Sequence, residues 1–90
     1  MYKISNYSIE KAKALNVIIK PSTNPFKKID VYKNNEKIAT IGDIKYNDYT
    51  TYLKQNITLA NKRRISYKKR HEKDRNIKNS NGYFADQILW

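Results

Sequence analysis

Nine of the seventeen residues from 62 to 78 are basic: Lys62, Arg63, Arg64, Lys68, Lys69, Arg70, Lys73, Arg75 and Lys78. With Glu72 and Asp74 the stretch carries a net +7 of the chain's +11. Residues 1–61 contribute +5 and residues 79–90 contribute −1, so the charge is concentrated and not spread as a solubility coat. Such a cluster can neutralise a polyanion and displace its condensed counterions. Fifteen Lys against four Arg favour point-charge contacts with phosphate over bidentate recognition of bases. Binding is therefore expected to be independent of base sequence. A solvated helix in a Lys-rich chain collects charge too, but then no single segment need hold most of it.

Other constellations are weaker. His71-Glu72-Lys73-Asp74 places an imidazole beside carboxylates that could orient a water, yet no second His follows four residues on, where a zinc-binding helix requires it. His71 with Asp74 reads as well as a histidine satisfied within its own helix. Asp43, Asp48 and Asp86 could cluster around a cation, but Asp48 is explained as a helix cap and nothing in the spacing gathers the three. Zero Cys excludes disulfides, thiolate metal sites and a catalytic thiol. The expectation is a protein without catalytic residues, metal or cofactor. Tyr46, Tyr49, Tyr52 and Tyr67 lie near basic residues and could stack on unpaired bases, Tyr67 foremost, although a chain with two Phe and one Trp must also fill its core with Tyr.

The elements that would hold these groups follow from local pattern. Ser8 is placed to cap a short helix ending near Asn16. Residues 17–20 are β-branched and read as a strand stopped by Pro21. From 28 to 42, alternation around Asn34-Asn35 predicts a two-residue hairpin, with Lys33 facing Glu36, Val31 facing Ile38 and Ile29 facing Thr40. In that register Val31 and Ile38 share the buried face. Asp48 caps a helix carrying Tyr49, Tyr52 and Leu53, which can cover the hairpin. Beyond a break near Asn56, Thr58 caps a longer helix from about 59 to 75, on which Ala60, Tyr67 and His71 fall on one narrow stripe at 100° per residue. Exposed pairs four residues apart, Lys68 with Glu72, Arg70 with Asp74 and Asp74 with Lys78, offset some of the crowding by about 0.2–0.5 kcal/mol each.

Residues 76–82 have loop composition, and the last eight positions bring Tyr83, Phe84, Ile88, Leu89 and Trp90. A free tail would not carry so much apolar surface, so this segment packs on the domain or on a partner protein. Ninety residues form one small domain with a thin core. The fold class expected is α+β: a hairpin, with 17–20 as a candidate third strand, covered by short helices, plus the longer basic helix. The longest apolar run is three residues against the roughly 20 that span a bilayer, and the first residues lack the apolar stretch of a signal peptide. A soluble, intracellular, unsecreted protein is expected, and without a clean apolar face the basic helix is a poor lipid binder.

Three blocks resemble a family of small basic proteins of unknown function encoded by large double-stranded DNA viruses of algae and protists. They are Ile29-Asp30-Val31-Tyr32-Lys33 with Ile38-Ala39-Thr40-Ile41-Gly42 and Tyr46-Asn47-Asp48-Tyr49; Tyr67-Lys68-Lys69-Arg70-His71-Glu72-Lys73-Asp74-Arg75; and Gly82-Tyr83-Phe84-Ala85-Asp86-Gln87-Ile88-Leu89-Trp90. The resemblance covers most of residues 8–90 and implies no catalytic residues. It implies a place in the virion or the infected host cell. Two functions then compete. One is a non-enzymatic nucleic-acid-binding protein, with DNA the first candidate, using Lys62, Arg63, Arg64, Tyr67, Lys68, Lys69, Arg70, Lys73 and Arg75. The other is a minor virion structural protein whose Tyr83, Phe84, Ile88, Leu89 and Trp90 contact capsid protein while the basic helix meets an acidic viral partner.

Overall fold

The computed structural model describes residues 2–90 and has the expected α+β class. A helix, α1 (Asn6–Ala14), precedes three strands, β1 (Ile18–Pro21), β2 (Lys27–Lys33) and β3 (Glu36–Asp43), which pair antiparallel in that order. Four helices follow: α2 (Tyr49–Gln55), α3 (Ile57–Arg70), α4 (Glu72–Arg75) and α5 (Asn81–Leu89).

Helix α1 starts earlier than the sequence pattern suggests. Ser5, not Ser8, is the N-cap, its hydroxyl accepting the Ser8 N–H at 3.2 Å. Ser8 sits inside the helix, buried, and donates its own hydroxyl to the Ile88 carbonyl at 2.9 Å. Two serines three residues apart can each cap, and the tertiary contact with α5 decides between them. Asn16 closes the helix in the left-handed region, at φ 62°. The chain then enters β1, whose Pro21 is tolerated because the strand lies at the sheet edge.

In the β2–β3 hairpin both turn residues, Asn34 and Asn35, adopt positive φ (54° and 65°), as a turn matched to the right-handed strand twist requires. Lys33 faces Glu36 and Tyr32 faces Lys37 as the simple register demands. Beyond them the ladder slips: Val31 faces Ala39 and Ile29 faces Ile41, leaving Ile38 as the extra residue of a β-bulge. The expected pairings of Val31 with Ile38 and Ile29 with Thr40 are thereby corrected. The physical gain is plain, because the slip turns Ala39 and Ile41 inward and lets Ile38 face solvent.

The expected cover of the sheet is corrected as well. Helix α5 lies on β3 and against α1, while α2 packs along α3. Phe84, Ile88 and Leu89 of α5, with Trp90, join Ile29, Val31, Ala39 and Ile41 in one core that Ala12, Val17, Tyr49 and Ala60 complete. Leu53 faces outward. Gly42 permits the α5 contact: at φ +78° a Cβ there would stand 2.8 Å from Leu89 Cδ1 and 2.9 Å from Lys28 Cδ. Gly82 plays a similar part at the other end, where a Cβ would lie 2.7 Å from Asp74 Cβ.

The long basic helix is two helices. Asn56, not Thr58, caps α3 by accepting the Leu59 N–H at 3.1 Å, and the helix stops at His71, whose φ of −106° and ψ of 20° depart from helical values. The turn carries Arg75 back against α3, where its Nε donates to the Lys68 carbonyl at 3.2 Å. Both side chains then reach Asp86 on α5. Among the described residues no helix is long and apolar enough to cross a membrane.

Candidate nucleic-acid interface

Three buried aspartates hold the scaffold, and each has its own compensation. Asp30 on β2 accepts from the Ser22 hydroxyl (2.7 Å), the Thr23 N–H (3.3 Å) and the Thr40 hydroxyl (3.0 Å), with Lys37 Nζ 3.8 Å away. Burial pushes its pKa upward, but these hydrogen bonds and the Lys37 charge outweigh burial and hold it below the usual carboxylate value. Asp48 caps α2 through the Thr51 N–H at 3.2 Å, and accepts from the Tyr2 hydroxyl and from Lys28 Nζ at 3.3 Å. Its pKa is lowered likewise: burial opposes, the Tyr2 hydrogen bond and the Lys28 charge prevail. Asp86 accepts from Lys68 Nζ at 2.7 Å and lies 4.0 Å from Arg75 Nη1. Asp43, Asp48 and Asp86 are not gathered together, since no group of three acidic or histidine side chains placed to hold a metal ion occurs among the described residues.

The basic cluster accordingly divides in two. Lys68 and Arg75 are committed to Asp86. Arg64 lies over the Tyr49 ring, its guanidinium carbon 3.7 Å from the centroid, and donates to the Tyr7 hydroxyl at 3.3 Å, while its Nε is buried without a partner. Of these three cations, all expected to contact phosphate, Arg64 and Lys68 fasten α3 to α1, α2 and α5, and Arg75 fastens α4 to α3 and α5. None of the three exposed pairs expected four residues apart forms among the described residues; Arg75 pairs with Glu72 at 3.6 Å, and His71 with Asp74 at 3.6 Å. Lys62, Arg63, Lys69, Arg70, Lys73 and Lys78 are exposed, and among the described residues none of them pairs with a carboxylate.

Tyr67 is also spoken for. Its ring stacks between His71 (centroids 4.4 Å apart, planes at 28°) and Trp90 (4.6 Å, 11°), so neither face is open to a base. Burial first, then the nearby Asp86 carboxylate, pushes its phenol up to about 12, which keeps it neutral. Tyr49 belongs to the core, and Tyr52 is half-buried under Arg63, whose guanidinium carbon is 5.5 Å from its centroid. Tyr46 is the exception at 70% exposed.

The terminal aromatic segment, expected to pack on the domain or on a partner, packs on the domain. Phe84, Ile88, Leu89 and Trp90 are buried in the chain's own core, and Tyr83 alone of the five is partly exposed. The Trp90 carbonyl accepts from the Tyr7 hydroxyl at 3.0 Å, tying the end of α5 to α1.

A cleft stands beside α3, and only one of its walls is marked in the linear pattern. Arg63, Ser66, Tyr67 and Arg70, which recur on one face of α3, form the wall of a cleft of about 780 Å³. Tyr46 and Asn47, from the loop before α2, also line it, as do His71 and Trp90. Spacing of three and four residues on a basic helix marks the wall, but the loop that completes the cleft comes from the far side of α2. No protein-family model, curated protein or solved structure matches this chain.

Proposed function

We propose that this is a non-enzymatic, sequence-nonspecific nucleic-acid-binding protein of a large DNA virus, working in the virion or the infected cell and gripping phosphates along the outer surface of α3 and α4. The observation that carries the reading is the set of six exposed cations, Lys62, Arg63, Lys69, Arg70, Lys73 and Lys78, without carboxylate partners among the described residues, on and just beyond helices whose orientation other cations fasten. Lys69, Arg70 and Lys73 fall within five residues, a density that is self-repulsive in isolation, and phosphates relieve it while releasing their own counterions. The resemblance to viral proteins supports the setting.

The test uses labelled duplex DNA of mixed sequence, measured by fluorescence anisotropy at two or more salt concentrations. Wild-type protein should bind at micromolar levels or tighter, with affinity falling by about 0.9 log unit per log unit of salt for each phosphate neutralised. Changing Lys62, Lys69, Lys73 and Lys78 together to Gln should lower that slope by about 0.9 for each phosphate no longer neutralised, with little change between sequences. Absence of salt-dependent binding, or a variant that binds as well as wild type, overturns the proposal.

A further inference from the structure

We propose that the cleft beside α3 receives one unpaired nucleotide of a bound strand, with Arg63 and Arg70 on its phosphate and Tyr46 on its base. The inference rests on the nucleic-acid reading above and adds to it a preference for single-stranded over duplex nucleic acid.

Size comes first. A cleft of about 780 Å³ lies within the range of about 300–1,000 Å³ typical of small-ligand sites. It admits one nucleotide but no intact duplex. Charge comes second. Arg63 and Arg70 stand two helical turns apart on the wall, are exposed, and have no carboxylate partner among the described residues. Arg63 lies over the Tyr52 ring, its guanidinium carbon 5.5 Å from the centroid, and each guanidinium offers a planar fork of donors that suits phosphate oxygens. Lys28 also lines the cleft, but it is buried and spent on Asp48 and the Tyr46 carbonyl, so it does not compete for the phosphate. Asp43, the one acidic side chain in the lining among the described residues, is exposed and accepts the Lys45 N–H at 2.9 Å.

Aromatic surface comes third. The rings of Tyr67 and Trp90 are stacked on one another and closed to a base, whereas Tyr46 makes no aromatic pair among the described residues and leaves most of its surface to solvent. An exposed ring usually costs ordering entropy when it binds, yet the backbone here is already pinned. Lys28 Nζ donates to the Tyr46 carbonyl, and the Tyr46 N–H donates to the Asp43 carbonyl at 3.1 Å. Such preorganisation favours stacking, which every base offers equally, and so preserves indifference to sequence. Asn47 and Ser66 supply polar groups at the same cleft for a base edge.

The experiment compares oligonucleotides of equal length: a single strand in deoxy and ribo forms, the deoxy strand with abasic sites, and the duplex. Wild-type protein should bind at least one single strand about 5- to 100-fold more tightly than duplex, and the abasic strand should lose that advantage. Tyr46→Ala, at an exposed loop position, should weaken strand binding by about 5-fold or more while leaving duplex binding and the circular dichroism spectrum unchanged. Tyr46→Phe, which keeps the ring, should bind as wild type. Equal binding of strand and duplex, or insensitivity to both the abasic sites and Tyr46→Ala, overturns the cleft while leaving the basic surface standing. Failure of every nucleic acid to bind overturns both.

Discussion

The half of the molecule built on the sheet and α5 treats charge in the opposite way to the outer surface of α3 and α4. In the first, every buried carboxylate is met: Asp30 by three hydrogen bonds and Lys37, Asp48 by Tyr2, Thr51 and Lys28, Asp86 by Lys68 and Arg75. In the second, six cations are exposed without a carboxylate partner among the described residues. The difference teaches that net charge is a poor guide to a site until the cations used internally are subtracted. Of nine basic residues in one short stretch, Arg64, Lys68 and Arg75 belong to the architecture, and the remainder stay exposed without a carboxylate among the described residues.

The comparison breaks most visibly at Asp48. Replacing it by Asn retains a capping oxygen for α2 but leaves Lys28, only 5% exposed in its side chain, as an uncompensated buried charge. The expected cost is about 3–5 kcal/mol, seen in thermal unfolding as a midpoint lowered by more than about 10 °C. The double change Lys28→Met with Asp48→Asn should recover most of that loss, because removing both members of a buried pair is far milder than removing one.

Acid should act on the same half more gradually. Asp30 and Asp48 both titrate lower in the fold than at the unfolded value of 3.8. The stability they contribute is therefore complete above that value and is lost as pH falls through their depressed folded values. Thermal midpoints followed downward from pH 6 should begin a steep decline near pH 4, and Asp30→Asn should make the decline shallower.

The smallest effect belongs to the outer surface. Lys69→Gln with Lys73→Gln should change unfolding free energy by no more than about 0.5 kcal/mol, since neither side chain is buried or paired among the described residues. Denaturant titration would check this. A larger loss would mean that these cations are structural, and would erase the contrast between the two regions.

Local pattern reached the strands, the Asn34-Asn35 turn and the Asp48 cap because each depends on neighbours in sequence. It failed where a distant group decides. Ile38 lies outward because a bulge trades its burial for that of Ala39 and Ile41, a choice settled by what covers β3. Ser8 lost the capping role to Ser5 because α5 offers it a carbonyl. The break at His71 follows from Arg75 reaching Asp86, eleven positions further on, which no helical periodicity announces. At the site, the exposed basic residues and the interest of Tyr46 were legible, whereas the cleft was not, since its lining is gathered from β2, β3, the loop before α2, α3 and α5.

The stacked contact between Tyr67 and Trp90 has an optical corollary. The chain's single tryptophan is 8% exposed, lies 4.6 Å from a phenol ring and forms part of the cleft wall. Its indole is expected to emit from a largely buried setting, where Tyr7 of α1 and Tyr67 of α3 meet the end of α5. The molecule carries a built-in, label-free gauge whose colour and brightness register the packing of those helices around one ring.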